Sequence, residues 1–238
     1  MKQADSAASV PQLIPHLRTG VKVPAALLSL FFASCAALSP AIPEIAPERP
    51  AAAAQIPETI PGGVAPERPA PPEYIMGTGR TPGDTLIRFL EANNPGADGA
   101  FVRSLAGCYV EEAAAEGVNH DVAFAQMCLE TGFLRYGGLV TPDMNNFCGL
   151  GSIGPGQPGL AFPDLRTGVR AHIQHLKAYA SEESLKGELV DPRFRFVRRG
   201  SSPAIRGLAG TWAADRSYSE KINAILERLY NFSFRGAL

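Results

Sequence analysis

The stretch VNHDVAFAQMCLETGF, Val118 to Phe133, decides how this chain is read. Asn119 is a helix-capping residue, and the Val, Ala, Phe, Met, Cys and Leu that follow carry a helix-like apolar run to one carboxylate, Glu130, where Thr131-Gly132 stops it. A carboxylate in the last turn faces the negative end of the helix macrodipole, where helices prefer cations, so its position costs stability. Burial beside Met127, Cys128 and Leu129 would act in the same direction, because low dielectric and a nearby negative potential both disfavour the ionised form. The competing reading is a surface ion pair between Glu130 and Arg135.

Helix signals surround this stretch. Thr81-Pro82-Gly83-Asp84 reads as a helix start, with a capping Thr, Pro at the first position and an acid in the first turn, ahead of Leu86, Ile87, Phe89 and Leu90. Asn93-Asn94-Pro95-Gly96 ends that helix. Asp98 caps a second, with Phe101, Val102, Leu105, Cys108, Tyr109 and Val110 recurring at helical spacing up to Gly117. Phe133 to Pro163 is rich in Gly and Pro and has room for an ordered loop or a short β-hairpin. Asp164 caps a helix through Val169, Ile173, Leu176 and Tyr179, and Ser217-Tyr218-Ser219-Glu220 is a capping box opening a last helix through Ile222, Ile225, Leu226 and Leu229. The expectation is a mostly α domain of about 160 residues over 78–238, a usual single-domain size.

The first third reads differently. VPAALLSLFFASC follows Arg18 and Lys22 and is well short of the roughly 20 apolar residues of a membrane-spanning helix, which makes residues 1–35 a signal peptide. Phe32-Ala33-Ser34-Cys35 resembles a bacterial lipobox, with Cys35 the lipidated residue. Residues 36–77 are Ala- and Pro-rich and repeat APERPA at Ala46 and Ala65, as in an extended linker. The chain is thus expected to be exported to the bacterial envelope, with membrane contact only through the anchor. Its 22 Lys and Arg balance 23 Asp and Glu, leaving no global basic field for nucleic acid.

Several chemistries can be set aside. Gly149 to Gly154 matches the dinucleotide pattern G-x-G-x-x-G, but no strand precedes it and Pro155-Gly156 bars the helix that would hold a pyrophosphate. Ser152 lacks the glycine two positions earlier that a nucleophile elbow requires. His172 and His175 lie three apart on one helix without an evident third ligand, so no metal and no cofactor is expected. Arg193 to Arg199, RFRFVRR, reads either as a polymer-binding strip or as a solvated basic segment. Cys108, Cys128 and Cys148 could contribute one disulfide, with Cys128 and Cys148 bracing the region of Glu130, or stand as three small buried thiols.

An acid kept protonated near neutral pH suits a glycosidase, which must protonate the leaving oxygen of a sugar bond. AQMCLETG, Ala125 to Gly132, resembles the A-Q-x-x-L-E-[ST]-G signature of glycoside hydrolase family 73, the peptidoglycan N-acetylglucosaminidases with a lysozyme-like helical fold. NNFCG at Asn145 resembles the family's N-N-L-F-G, and WAADRSYSEKI at Trp212 resembles its Y-A-T-D-x-x-Y-x-x-K-I. The resemblance implies Glu130 as general acid and Tyr218 as the tyrosine beside it. It also implies a groove shaped by Gly132, Asn145, Asn146, Phe147 and Phe162, with peptidoglycan glycan strands as the partner. Many members carry a second acid after N-N-L-F-G, whereas Gly149 to Phe162 holds neither Asp nor Glu, leaving Asp143 and Asp164 as candidates. A lytic transglycosylase on the same fold and a catalytically silent glycan-binding module are the alternatives.

Overall fold

The computed structural model describes residues 68–152, 154, 157 and 159–236, so the expected signal peptide, Cys35 and most of the linker lie outside the described residues. Within them the chain forms α1 (Gly83–Asn93), α2 (Gly99–Glu116), α3 (His120–Glu130), α4 (Leu165–Ala180) and α5 (Tyr218–Gly236), with short 3-10 turns at Pro142–Met144, Phe194–Phe196 and Ile205–Leu208. None of the described helices is long and apolar enough to cross a membrane. The mostly helical architecture agrees with the lysozyme-like expectation.

The local chemistry of the caps explains most of the boundaries. Asp98 accepts hydrogen bonds from the backbone of Ala100 and Phe101, Asn119 from Asp121 and Val122, and Asp164 from Thr167. Gly117 closes α2 in the left-handed conformation, φ 74°, as a glycine C-cap does. Two expected starts differ. Pro82, not Thr81, stands at the N-cap of α1, because the Thr81 amide is drawn to the Asp121 carboxylate from across the fold. Ahead of α5 it is Asp215 whose carboxylate receives the Ser217 amide and the Lys221 ammonium.

α3 is the central element. His120 to Cys128 are buried without interruption, so α3 is enclosed on all sides rather than along one stripe. α2, α4 and α5 surround it, with α2 also packed along α4 and against α1. The enclosed carboxylate of Asp121 is fully satisfied: it takes the Arg80 amide at 2.7 Å and the Tyr230 hydroxyl at 2.9 Å. Between α2 and α4, Lys177 and Glu116 form a buried ion pair at 2.9 Å. Burial alone would raise the Glu116 carboxyl. The Lys186 and Gly187 amides, with Lys177, reverse that and hold it below the usual range.

Packing begins before the expected boundary at residue 78. Ile75 is 0 % exposed, its amide bonds to Pro203 O and its carbonyl accepts from Asn119. Tyr74 pairs with Ala204 and Met76 with Val118, so the end of the segment read as linker is an extended strap closing the N-terminal side of α3. The Gly/Pro-rich region takes the loop form. Among the described residues its pairing amounts to an isolated bridge between Gly154 and Gln157.

Candidate active site

Glu130 is the last residue of α3, and the turn beyond it is tightly wound. Thr131 Oγ1 donates to Met127 O at 2.8 Å and accepts from the Leu134 amide at 2.9 Å, supplying a side-chain cap. Phe133, Leu134 and Tyr136 all take positive φ, 58°, 62° and 52°, alongside Gly132 at 57°. Each such non-glycine residue costs on the order of 1–3 kcal/mol and persists where the surroundings fix it. Here the Asn94 side chain donates to Phe133 O, and the Phe133 and Tyr136 amides return to Cys128 O and Thr131 O. The coil swings Tyr136 back over the end of α3.

The result is an open cavity of about 320 Å³ lined by Glu130, Tyr136, Cys148, Gly149, Ser152 and Trp212, among others. Glu130 is the one carboxylate among the described residues that line it. The residue is open to the cavity, while its carboxyl sits among protein atoms. Burial raises its pKa above the ordinary carboxylate value, against the opposing pull of the Tyr218 hydroxyl and the Trp212 indole N–H. Tyr218 O–H donates to Glu130 Oε1. Burial and the facing carboxylate push the Tyr218 phenol far up, so it stays a neutral donor. The second carboxylate oxygen, Oε2, faces Gly149, whose α-carbon would carry any side chain to within 3.8 Å of it.

Arg135 does not pair with Glu130; its guanidinium donates to the backbone carbonyls of Gly132 and Asn93. The ion-pair reading is therefore replaced by that of an acid whose carboxyl is partly desolvated at the cavity. Asn145 and Asn146 organise the loop under the cavity. Asn146 is buried, donates to Leu150 O and Leu160 O, and accepts from the Leu150 amide at 2.9 Å, closing the turn that carries Cys148 and Gly149. Asn145 takes φ 49° and holds Phe162 O at 3.1 Å. Phe147 and Phe162 are core residues, the first fully buried against Phe101 and the second packed with Cys148, Leu150 and Ala171. Their expected place on the groove wall is corrected accordingly. Apolar rings in a glycine-rich loop anchor it inward.

Asp143 and Asp164 do not line the cavity. Asp164 is spent as the cap of α4, held below the usual carboxylate range by the Thr167 amide and hydroxyl, and Asp143 is held low by the Thr141 hydroxyl and its own amide. Trp212, Tyr136 and Cys148 are among the lining residues that were not expected site residues. Trp212 packs in tilted and edge-to-face contacts with His172, His175 and Tyr179 and lines the cavity. The Tyr136 hydroxyl is enclosed without a hydrogen-bond partner among the described residues. Burial pushes its phenol up to about 12, so it too is neutral. The thiol of Cys148 is raised by burial and by Glu130, which keeps it protonated and unsuited to nucleophilic attack. Trp212 and Cys148 lay within recognised motifs; Tyr136 carried no chemical signal in the sequence.

Other candidate sites resolve into structure. His175 Nδ1 lies 2.7 Å from Asp191 Oδ2, and His172 faces two neutral polar groups. Among the described residues no group of three His, Cys, Asp or Glu could hold a metal ion. Cys108, Cys128 and Cys148 are free buried thiols. In the basic strip, Arg193 and Arg195 lie over the ring of Phe196 and Arg199 over Phe194, so its cations stack on its own aromatics.

A mostly helical domain with one partly desolvated carboxyl lining its cavity fits the class of glycan-cleaving hydrolases. Residues 106–231 match the family described as mannosyl-glycoprotein endo-beta-N-acetylglucosaminidase, and the chain belongs to this glucosaminidase family, glycoside hydrolase family 73, whose substrates are of the peptidoglycan type. It is also similar to an uncharacterized protein of Borreliella burgdorferi, 41 % identical over 160 residues, covering 67 % of this chain and 78 % of the relative. No solved structure matches it.

Proposed function

We propose that this protein cleaves the glycan strand of peptidoglycan beside N-acetylglucosamine with Glu130 as the general acid. The supporting observation is the isolation of Glu130: it is the one carboxylate among the described residues that line the cavity, with its pKa raised by burial and one oxygen fixed by Tyr218. Because Tyr218 O–H occupies Oε1, the acid proton resides on Oε2, the oxygen facing Gly149 and the cavity. That proton passes to the glycosidic oxygen as the C1–O bond breaks. With no second carboxylate among the described lining residues, the substrate's own 2-acetamido oxygen attacks C1 and forms a cyclic intermediate. Water then adds at C1 and returns its proton to Glu130. Tyr136 and Trp212, both lining the cavity, supply aromatic surface for sugar contact.

The N-terminal region completes the reading. Export by residues 1–35, lipidation at Cys35 and a Pro-rich linker would place the domain within the bacterial envelope, at its polymeric substrate.

Glu130→Gln tests the proposal. The amide oxygen still accepts from Tyr218, but no proton can be delivered, so cleavage of purified peptidoglycan falls by about 10²-fold or more. Mass spectrometry of the wild-type products shows reducing N-acetylglucosamine ends. An active Glu130→Gln protein removes Glu130 as the acid, and anhydro-sugar ends transfer the reading to lytic transglycosylation through the same carboxyl.

A further inference from the structure

Behind Tyr218 lies a buried chain of polar groups that the chemistry above does not use. Gln126 Nε2 donates to the Tyr218 hydroxyl oxygen at 2.7 Å, His172 Nε2 lies 3.0 Å from Gln126 Oε1, and the Tyr109 hydroxyl lies 2.8 Å from His172 Nδ1. Gln126, His172 and Tyr109 are each 0 % exposed, and they come from α3, α4 and α2 in turn. Such groups must be paired, and here each pairing restricts the next.

The direction of every bond is forced. The Tyr218 proton is committed to a carboxylate that, when ionised, can only accept, so the Tyr218 oxygen must receive from Gln126 through its NH₂ group. That turns Gln126 Oε1 toward His172, which must then carry its proton on Nε2. Nδ1 is left as an acceptor, and Tyr109 donates to it. His172 is neutral in this arrangement, since burial in the core, with His175 nearby, holds its pKa down to about 3. All four protons point toward Glu130.

We infer that Tyr109, His172 and Gln126 are positioning residues whose one-way hydrogen bonds orient and polarise the Tyr218 hydroxyl against Glu130 Oε1. The inference rests on Glu130 being the acid. Each donor strengthens the next, so the chain stabilises the ionised carboxyl and keeps the transferable proton on Oε2. It also joins three helices to the end of α3 through atoms that cannot be reversed singly. The titratable groups facing Glu130 are Tyr218 from α5, Tyr136 from the turn after α3 and Cys148 from the loop below. Those facing His172 are Tyr109 from α2 and His175 on α4 itself.

Two measurements on the full chain test this. In ¹⁵N-labelled protein, His172 should remain neutral in the Nε2–H tautomer from about pH 5 to 8; an Nδ1–H tautomer, or titration in that range, overturns the chain whether or not the enzyme is active. Tyr109→Phe removes one oxygen four hydrogen bonds from Glu130 and leaves every cavity residue in place. It should lower kcat by about two- to fivefold with KM unchanged and displace the alkaline limb of the pH–rate profile to higher pH. Tyr230→Phe, which removes the buried hydroxyl that donates to Asp121 outside the chain of polar groups, is the control: it should lower Tm without moving that limb. A Tyr109→Phe profile that matches the control overturns the inference, while loss of the Glu130 assignment would show separately as an active Glu130→Gln protein.

Discussion

Gly168→Ala gives opposite expectations from local and tertiary physics. Gly168 is the fourth residue of α4, and helix propensity alone predicts that Ala there stabilises by about 0.5–1 kcal/mol. The neighbour across the helix predicts the reverse. A β-carbon on Gly168 would fall 1.8 Å from the Asn145 carbonyl oxygen and 2.9 Å from its carbon, with the Phe147 ring at 3.3 Å. An ordinary carbon–oxygen contact is about 3.3 Å, so the backbone at Asn145 must move by roughly 1.5 Å or α4 must shift away. Neither is cheap, because Asn145 is tied to Phe162 O and Phe147 is a core anchor. Overpacking of this kind costs about 1–3 kcal/mol, which in a domain this size lowers Tm by about 2–12 °C. Activity should fall further than stability. The displaced segment carries Asn146 and, through it, Gly149 beside Glu130 Oε2, and a misplacement of about 1 Å at a reacting centre can cost 10²-fold. Thermal unfolding and peptidoglycan turnover on this one variant read both effects. A Gly168→Ala protein with a raised Tm and full activity would refute the packing argument and return Gly168 to a propensity site.

The strap before α1 predicts that Ile75→Ala lowers stability by about 2–5 kcal/mol in urea unfolding, whereas a segment acting purely as tether would show no change. Removing residues 1–77 should therefore destabilise the domain. Glu130→Gln should also change how stability depends on pH. The native carboxyl titrates above its unfolded value of about 4.5, so its cost is absent below that pH and grows as pH rises through the raised native value. The amide lacks this dependence, and the Tm advantage of the variant should widen between acid and neutral pH; a constant difference would show that Glu130 is not strained by burial.

What the sequence discloses follows from how far each signal reaches along the chain. Asp98, Asn119 and Asp164 were legible as caps because the bonds they make span two or three residues, and periodic apolar positions placed the helices between them. Thr81 misled because a carboxylate 40 residues away claims its amide. Phe147 and Phe162 misled for a related reason: in a loop without periodicity nothing separates an anchoring ring from a substrate-facing one. The turn that delivers Tyr136 was invisible, since its left-handed backbone falls on Phe133, Leu134 and Tyr136, residues that local rules exclude from that region.

The position of Glu130 was legible even though part of the reasoning behind it was local. Helix-end placement suggested an acid held against its preference, and the structure supplies the larger cause, partial desolvation of the carboxyl among the protein atoms around the cavity. These have one origin. An acid at the tip of an otherwise buried helix is carried by the core to the base of whatever opening the neighbouring loops leave, with its backbone fixed by the packing of α3. What a local pattern cannot disclose is the support behind it. His172 lies 46 residues from Gln126 and 63 from Tyr109, so their contact exists only after α2, α3 and α4 have packed. In the sequence His172 is a polar residue on an amphipathic helix. In the fold it is the link through which two further helices bear on one carboxyl oxygen.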